Sequence, residues 1–438
     1  MKRLISRVES HDEGKKALAR ILSRGRDKEA QRVRERVSEI ISSVRSGGDE
    51  SLLEWARTLD GFTGGRADLE VGLSVAKNAW NSLAPSLKDA LSFARNRISD
   101  YHHRLRDDLR DLAPSPERAG CRWTPIDRVA VYVPGGTALY PSTVLMTATV
   151  ARVAGVREIS VITPGGPGAI DPVVLAACHA AGVDRIFPVG GVHAIAALAF
   201  GTESLPAVDQ IVGPGNRYVA EAKRQLYGTI AIDMIAGPTE VLIVADSSAD
   251  PAFIAADLLA QAEHDTQASA VLLTDSEELS GRVLEELGRQ LETLPRREIA
   301  SASLEEFGAI LTLASLDLAP GLVDLIAPEH LELAVTNPGE LAGRIRNAGA
   351  IFLGHSVPEA AGDYCFGPSH VLPTNGTARF ASPVSVETFM KRTSLIGGER
   401  VGDLERILEV SEILARAEGL EGHARSAAFR RKGFPHDR

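Results

Sequence analysis

From residue 129 onward the chain repeats one unit: a short apolar run, a glycine-bearing turn, then an amphipathic stretch. VAVYV (129–133) runs into Pro134-Gly135-Gly136, with a helix expected from Ser142 to Gly155. ISVIT (159–163) meets Pro164-Gly165-Gly166, with a helix from Pro172 to about Ala181. IFPV leads to Gly190-Gly191 and a helix ending at Gly201. DQIV leads to Gly213-Pro214-Gly215 and a helix from Asn216 to about Tyr227. Strands that are apolar throughout, alternating with helices, are covered on both faces, which points to a parallel, doubly wound α/β sheet. The pattern restarts with TEVLIVA (239–245), a helix from Pro251 to His264, AVLLT, AILTL and AIFLG (350–354). Two such units in succession predict a two-domain body with a cleft between them and ligands at the carboxyl ends of strands.

With 438 residues the chain exceeds a single hydrophobic core. The expected division is a largely helical region over 1–128, one α/β domain over 129–238, a second over 239–385, and a helical tail over 386–438. The first hundred residues carry no strand pattern. Apolar Ala90, Leu91, Ala94, Ile98 and Tyr101 follow helical spacing after Pro85. A formal charge of −10 provides no basic excess for nucleic-acid or membrane-surface binding, and the Arg-rich stretch 20–45 is balanced by Asp27, Glu29, Glu35 and Glu39. Three scattered cysteines make no disulfide framework. With no apolar leader and no long apolar span, a cytoplasmic location is expected.

Residues 354–383 show neither helical nor strand periodicity, yet carry His355, Glu359, Asp363 and His370 among recurring apolar and aromatic residues. Such a long ordered loop reads as an active-site wall. Asp363 can be a hard oxygen ligand or an Asx-turn residue; His370 can bind metal or substrate, or bond a loop carbonyl. Gln261 and His264 share a face near a helix end, where they can converge on one ion or form a polar terminus with His at the favourable dipole end. Adjacent Glu329 and His330 can be an acid/base pair, or a helix-end charge and a cap. Glu418 and His423 flank a Gly-Leu-Glu-Gly turn that in isolation reads as surface. No GxGxxG fingerprint or P-loop occurs, so a dinucleotide would need the strand-end turns as a variant cradle.

Together, QAEHD (261–265), PEHLEL (328–333), GDYCFGPSHVLPTNGTARF (362–380) and EGLEGH (418–423), with VYVPGG, GPGN and AGPTEVLIVAD, make the chain resemble the histidinol dehydrogenase family in order and over most of its length. The resemblance implies α/β architecture with two Rossmann-like parallel-sheet domains lacking the GxGxxG fingerprint, a helical amino-terminal segment and a helical carboxyl-terminal tail. It implies oxidation of L-histidinol through L-histidinal to L-histidine, reducing two NAD, in the last two steps of histidine biosynthesis. One Zn2+ per subunit would be held by Gln261, His264, Asp363 and His423, with Glu329 and His330 as the catalytic pair. Thr239, Gln261, His264, His330, Asp363, His370, Glu418 and His423 would surround the substrate, and Tyr132, His193 and Asn216 the NAD. The family is homodimeric, its tail reaching the other subunit, which would place Glu418 and His423 in trans. His193 stands where the family commonly has Gln, and Thr239 where Ser is also usual. A relative oxidising another small alcohol, such as a sulfonated diol, is the competing expectation.

Overall fold

The computed structural model describes residues 4–24, 30–113, 119–135, 139–166, 168–397 and 403–432. Gly136 and Pro167 of the first two glycine-rich turns, and Asp27 and Glu29 of the Arg-rich stretch, lie outside the described residues. So do the first two residues of the VGDLER run that opens the expected tail helix. Thirteen strands occur among the described residues. In chain order they are β1 (Ile5–Val8), β2 (Gly120–Pro125), β3 (Arg128–Tyr132), β4 (Glu158–Ile162), β5 (Arg185–Phe187), β6 (Gln210–Val212) and β7 (Ala231–Ile232). There follow β8 (Glu240–Ala245), β9 (Ser269–Thr274), β10 (Gly308–Leu313), β11 (His330–Ala334), β12 (Ala350–Leu353) and β13 (Met390–Leu395).

Two parallel sheets carry the α/β architecture. One is five-stranded, ordered β5-β4-β3-β6-β7; the other is six-stranded, ordered β1-β10-β9-β8-β11-β12. Every residue of β8 and β9 is buried. Their side chains alternate between two cores, as period-two strands require: Leu242 and Val244 face one, Val241, Ile243 and Ala245 the other. The connecting helices begin and end where local chemistry dictates. Asp171, Asn216 and Asp250 cap first turns through their side chains, and Pro172 and Pro251 take the position where no amide is missed. Gly155 and Gly182 close helices in the left-handed conformation.

The structure departs from the expected pattern in several places. The amino-terminal region, expected to lack strands, supplies β1, which joins the six-stranded sheet at the edge of β10 in the register Ile5↔Ile310 to Val8↔Leu313. A four-residue edge strand has no periodicity of its own; the exposed ladder of β10 selects it. The apolar run after Glu329 is β11, seated between β8 and β12. The long segment after β12 contains a single-turn helix, Glu359–Gly362, and a short 3-10 turn, Thr377–Arg379.

The chain separates into two compact units. One comprises Met1–Arg106 and Pro125–Phe389 and holds both parallel sheets. The other comprises Asp107–Thr124 and Met390–Arg438. In it, β2 pairs with β13, a strand where only helix was expected, and helices Leu404–Ala417 and Glu421–Lys432 pack together. Buried Glu412 accepts from Arg416 of its own helix at 2.6 Å and from Arg431 of the other at 2.7 Å, and the second pair ties the two tail helices together. Among the described residues no helix is long and apolar enough to cross a membrane.

Candidate active site

Both sheets reverse direction of growth at an internal strand pair, between β3 and β6 in one and between β8 and β11 in the other. Such switch points leave crevices at strand ends. At the five-stranded sheet, the carboxyl ends of β3 and β6 present Pro134 and the turn 213–216 to a cleft of about 960 Å³. At the six-stranded sheet the site lies at the amino ends, contrary to the carboxyl-end expectation. Thr239 immediately precedes β8, Glu329 immediately precedes β11, and His330 is the first residue of β11, opposite Val241 and Ala350. The helix Pro251–Ala262 runs back towards this same edge before β9, so its final turn brings Gln261, and the following residues His264, to the amino ends.

Glu329 is buried at this edge. The Glu240 amide donates to its Oε2 at 3.0 Å, and the Thr239 hydroxyl bonds the same oxygen. Burial raises the Glu329 carboxyl to about 8; the hydrogen bonds from Thr239 and Glu240 oppose the rise without cancelling it. His330 Nδ1 lies 3.2 Å from the Glu240 carbonyl oxygen, which can only accept, so Nδ1 carries the proton. Nε2 is buried with no protein hydrogen-bond partner, 3.9 Å from Asp363 Oδ1. Burial holds the imidazole below its usual range while the Asp363 charge acts the other way. The result at neutral pH is an uncharged imidazole with a free Nε2 lone pair.

His264 and His370 are likewise lowered by burial, with Asp363 opposing. His370 donates from Nδ1 to the Asp363 carbonyl at 3.1 Å, and its Nε2 faces the Thr143 hydroxyl at 3.3 Å. Gln261 is fully buried and bonds Thr239 Oγ1 at 2.8 Å. Ligand atoms of His330, Glu359 and Asp363 lie within 4.8 Å of one another, a grouping able to hold a cation. Thr239, His264, Glu329, His330, Asp363 and His370 therefore share one cleft with Asn216.

The other expected residues have different surroundings. Asn216 caps the helix Arg217–Leu226, accepting from the Tyr218 and Val219 amides at 2.9 and 3.2 Å. Tyr132 is buried at the end of β3, where loss of water pushes its phenol up to about 12. His193 is fully buried, its Nε2 3.2 Å from Asp60 Oδ2, an oxygen that also accepts the Gly190 amide at 3.1 Å. Glu418 ends the first tail helix and His423 lies in the second, both solvent-exposed in the second compact unit. His355 is exposed and meets Ser248 Oγ at 3.2 Å.

Sequence reasoning missed the buried acids beneath the cleft. Glu359 was conspicuous but unassigned, and is 2 % exposed. Buried Glu332 lies beside half-buried Asp257: burial and the Asp257 charge raise Glu332 well above the carboxylate range, and burial brings Asp257 to about 6. Glu240, brought to about 7 by burial, is held by an ion pair of 2.6 Å with buried Arg24. The available signal was a charge inside an apolar run: Glu332 between Leu331 and Leu333, and Asp257 in AADLLA.

Comparison with known proteins agrees with this architecture. The histidinol dehydrogenase family model matches residues 23–431. The chain is 47% identical to a histidinol dehydrogenase of Parasynechococcus marenigrum over 426 residues, covering 97% of each protein. It is 50% identical to one of Moorella thermoacetica over 397 residues, covering 90% of this chain and 93% of that protein. The crystal structure of histidinol dehydrogenase from Elizabethkingia anophelis superposes with a TM-score of 0.89 at 33% identity, covering 98% of both chains. By sequence over nearly its whole length and by fold, this chain belongs to the histidinol dehydrogenase family of oxidoreductases.

Proposed function

We propose that the protein oxidises L-histidinol through L-histidinal to L-histidine, reducing two NAD, as the last two steps of histidine biosynthesis in the cytoplasm. The balance is one alcohol, one water and two NAD converted to one carboxylate, two NADH and three protons. The observation that carries the reading is the apposition, on one cleft, of an uncharged His330 with a free Nε2 and a buried Glu329, facing the glycine turn 213–216 of the opposite sheet.

His330 Nε2 accepts the alcohol proton as hydride leaves the carbinol carbon for NAD. After water binds, Glu329 in its ionised form takes a proton from it as the oxygen adds to the aldehyde, and His330 Nε2 again removes the hydroxyl proton during the second hydride transfer. Burial at the cleft floor keeps bulk water from both groups. Thr239, His370 and Asn216 supply polar contacts for substrate and NAD, with Tyr132 and His193 behind the strand-end turns.

Gln261, His264 and Asp363, with His423 of the tail, are proposed to hold one zinc ion. The nitrogen and oxygen character of the set fits such an ion, and Asp363 also lies in the grouping with His330 and Glu359 that can hold a cation. When bound, zinc supplies a Lewis-acidic anchor for the amino and imidazole nitrogens of the substrate. We further propose a homodimer in which Glu418 and His423 serve the other subunit's cleft.

The test is NADH production by purified zinc-loaded protein. Two NADH per L-histidinol, with L-histidine recovered and one zinc per chain, is the expected result. Oxidation of other small alcohols alone, or no NADH from histidinol, would overturn it.

A further inference from the structure

Glu359 opens the single-turn helix Glu359–Gly362 and is almost wholly buried. Its amide donates to Glu332 Oε1 at 2.8 Å, which fixes the start of the turn against β11. Its carboxylate lies 3.6 Å from His330 Nδ1 and, at 3.0 and 3.3 Å, against one end of the Gln261 amide. The other end of that amide faces Thr239 Oγ1 at 2.8 Å.

Both Glu359 oxygens lie against the same Gln261 atom, an arrangement in which an amide nitrogen can donate to either. His330 Nδ1 is 3.2 Å from the same end of Gln261, but its proton is directed at the Glu240 carbonyl, so it offers no lone pair to the Gln261 nitrogen. Glu359 is the acceptor that decides the orientation. An amide coordinates a cation through oxygen, so the orientation decides whether Gln261 can act as a ligand at all.

We infer that Glu359 is a positioning residue: it holds the Gln261 nitrogen so that the Gln261 oxygen is turned towards Thr239, which itself lines the cleft. This rests on the reading of Gln261 as a zinc ligand. A carboxylate buried against other carboxyls does not serve stability, since an apolar side chain of similar size would fill the same space without the desolvation cost. Hydrogen-bond partners behind metal ligands typically change affinity by about 10–100-fold when removed.

The experiment titrates zinc into metal-free protein carrying Glu359→Met, Glu359→Gln or Gln261→Ala, with thermal melting of each. Glu359→Met is expected to melt at or above the unmutated protein while binding zinc about 10–100-fold more weakly. Glu359→Gln keeps an oxygen for the Gln261 nitrogen, and is expected to recover most of the affinity. If Glu359→Met binds zinc normally while Gln261→Ala binds weakly, the inference falls and the ligand reading stands. If Glu359→Gln is as weak as Glu359→Met, an oxygen at this position does not restore the ligand, and the inference also falls. If Gln261→Ala binds zinc normally, the ligand reading fails and takes the inference with it. Should Glu359→Met not fold, Glu359→Asp withdraws the carboxylate by one methylene: weakened zinc binding supports the inference, and unaltered binding overturns it.

Discussion

Glu329 and His330 are adjacent in the chain but titrate in opposite senses, because burial disfavours the charged form of each. The imidazole is held in its base form, whereas the carboxyl, raised to about 8, is mostly protonated at neutral pH. A base acts when deprotonated, so the step assigned to Glu329 gains rate as pH rises from 7 towards 9. Oxidation of L-histidinal supplied directly should show this rise, and Glu329→Gln should flatten it while lowering the rate by about 10²–10⁴-fold. An unchanged pH profile in that variant would remove Glu329 from the water step. The types of these two residues, and their contiguity, were readable in the sequence. Their environments were not, because the Glu240 backbone groups that bond both come from a strand 90 positions away.

Among the elements, the turn after β6 is braced by a buried ion pair. Gly213 has φ of +111°, and a Cβ there would come 2.3 Å from the Tyr132 carbonyl oxygen, so backbone proximity requires glycine. Buried Lys223 donates to the Gly213 carbonyl at 3.0 Å and pairs with Asp233, whose carboxylate accepts the Gly213 amide at 2.8 Å. Both side chains are nearly inaccessible. Lys223→Met leaves the Asp233 charge uncompensated, so unfolding in urea should show a loss of about 3–5 kcal/mol. Adding Asp233→Asn, which neutralises the charge and keeps an acceptor, should return part of that loss. A loss below about 1 kcal/mol in the single variant would mean the pair does not brace the turn. The glycine turns were visible in the sequence because glycine marks positions that other residues cannot adopt. The brace was not, since a lysine on an amphipathic helix reads as solvated until the fold buries it. The edge strand β1 and the pairing of β2 with β13 were missed for a related reason: short strands are selected by a neighbour's free ladder, not by their own periodicity.

At the scale of the whole molecule, the proposed exchange of tails gives a sharp expectation. In a heterodimer of His330→Asn with His423→Asn subunits, a tail acting in trans leaves one cleft with both lesions and one with neither. Activity should return to about half that of the unmutated dimer. A tail acting in cis leaves a lesion in each cleft, and isolated heterodimers would stay inactive. The tail helices and the turn between them expose Ile413, Leu414, Leu420 and Phe429, apolar surface suited to such an exchange.

By itself the sequence determined the α/β class, most strands and helices of both sheets, with β1, β7 and β11 the exceptions, and, through its long ordered motifs, the family. These depend on local periodicity, on glycine and proline at special backbone positions, and on contiguous residue types. Only the tertiary structure decided the order of the strands, the placement of the six-stranded sheet's candidate site at amino ends, and the burial that brings Glu329, His330 and Glu359 together. Burial and proximity arise from pairings between segments far apart in the chain, and a carboxylate's protonation depends on what those segments bring around it.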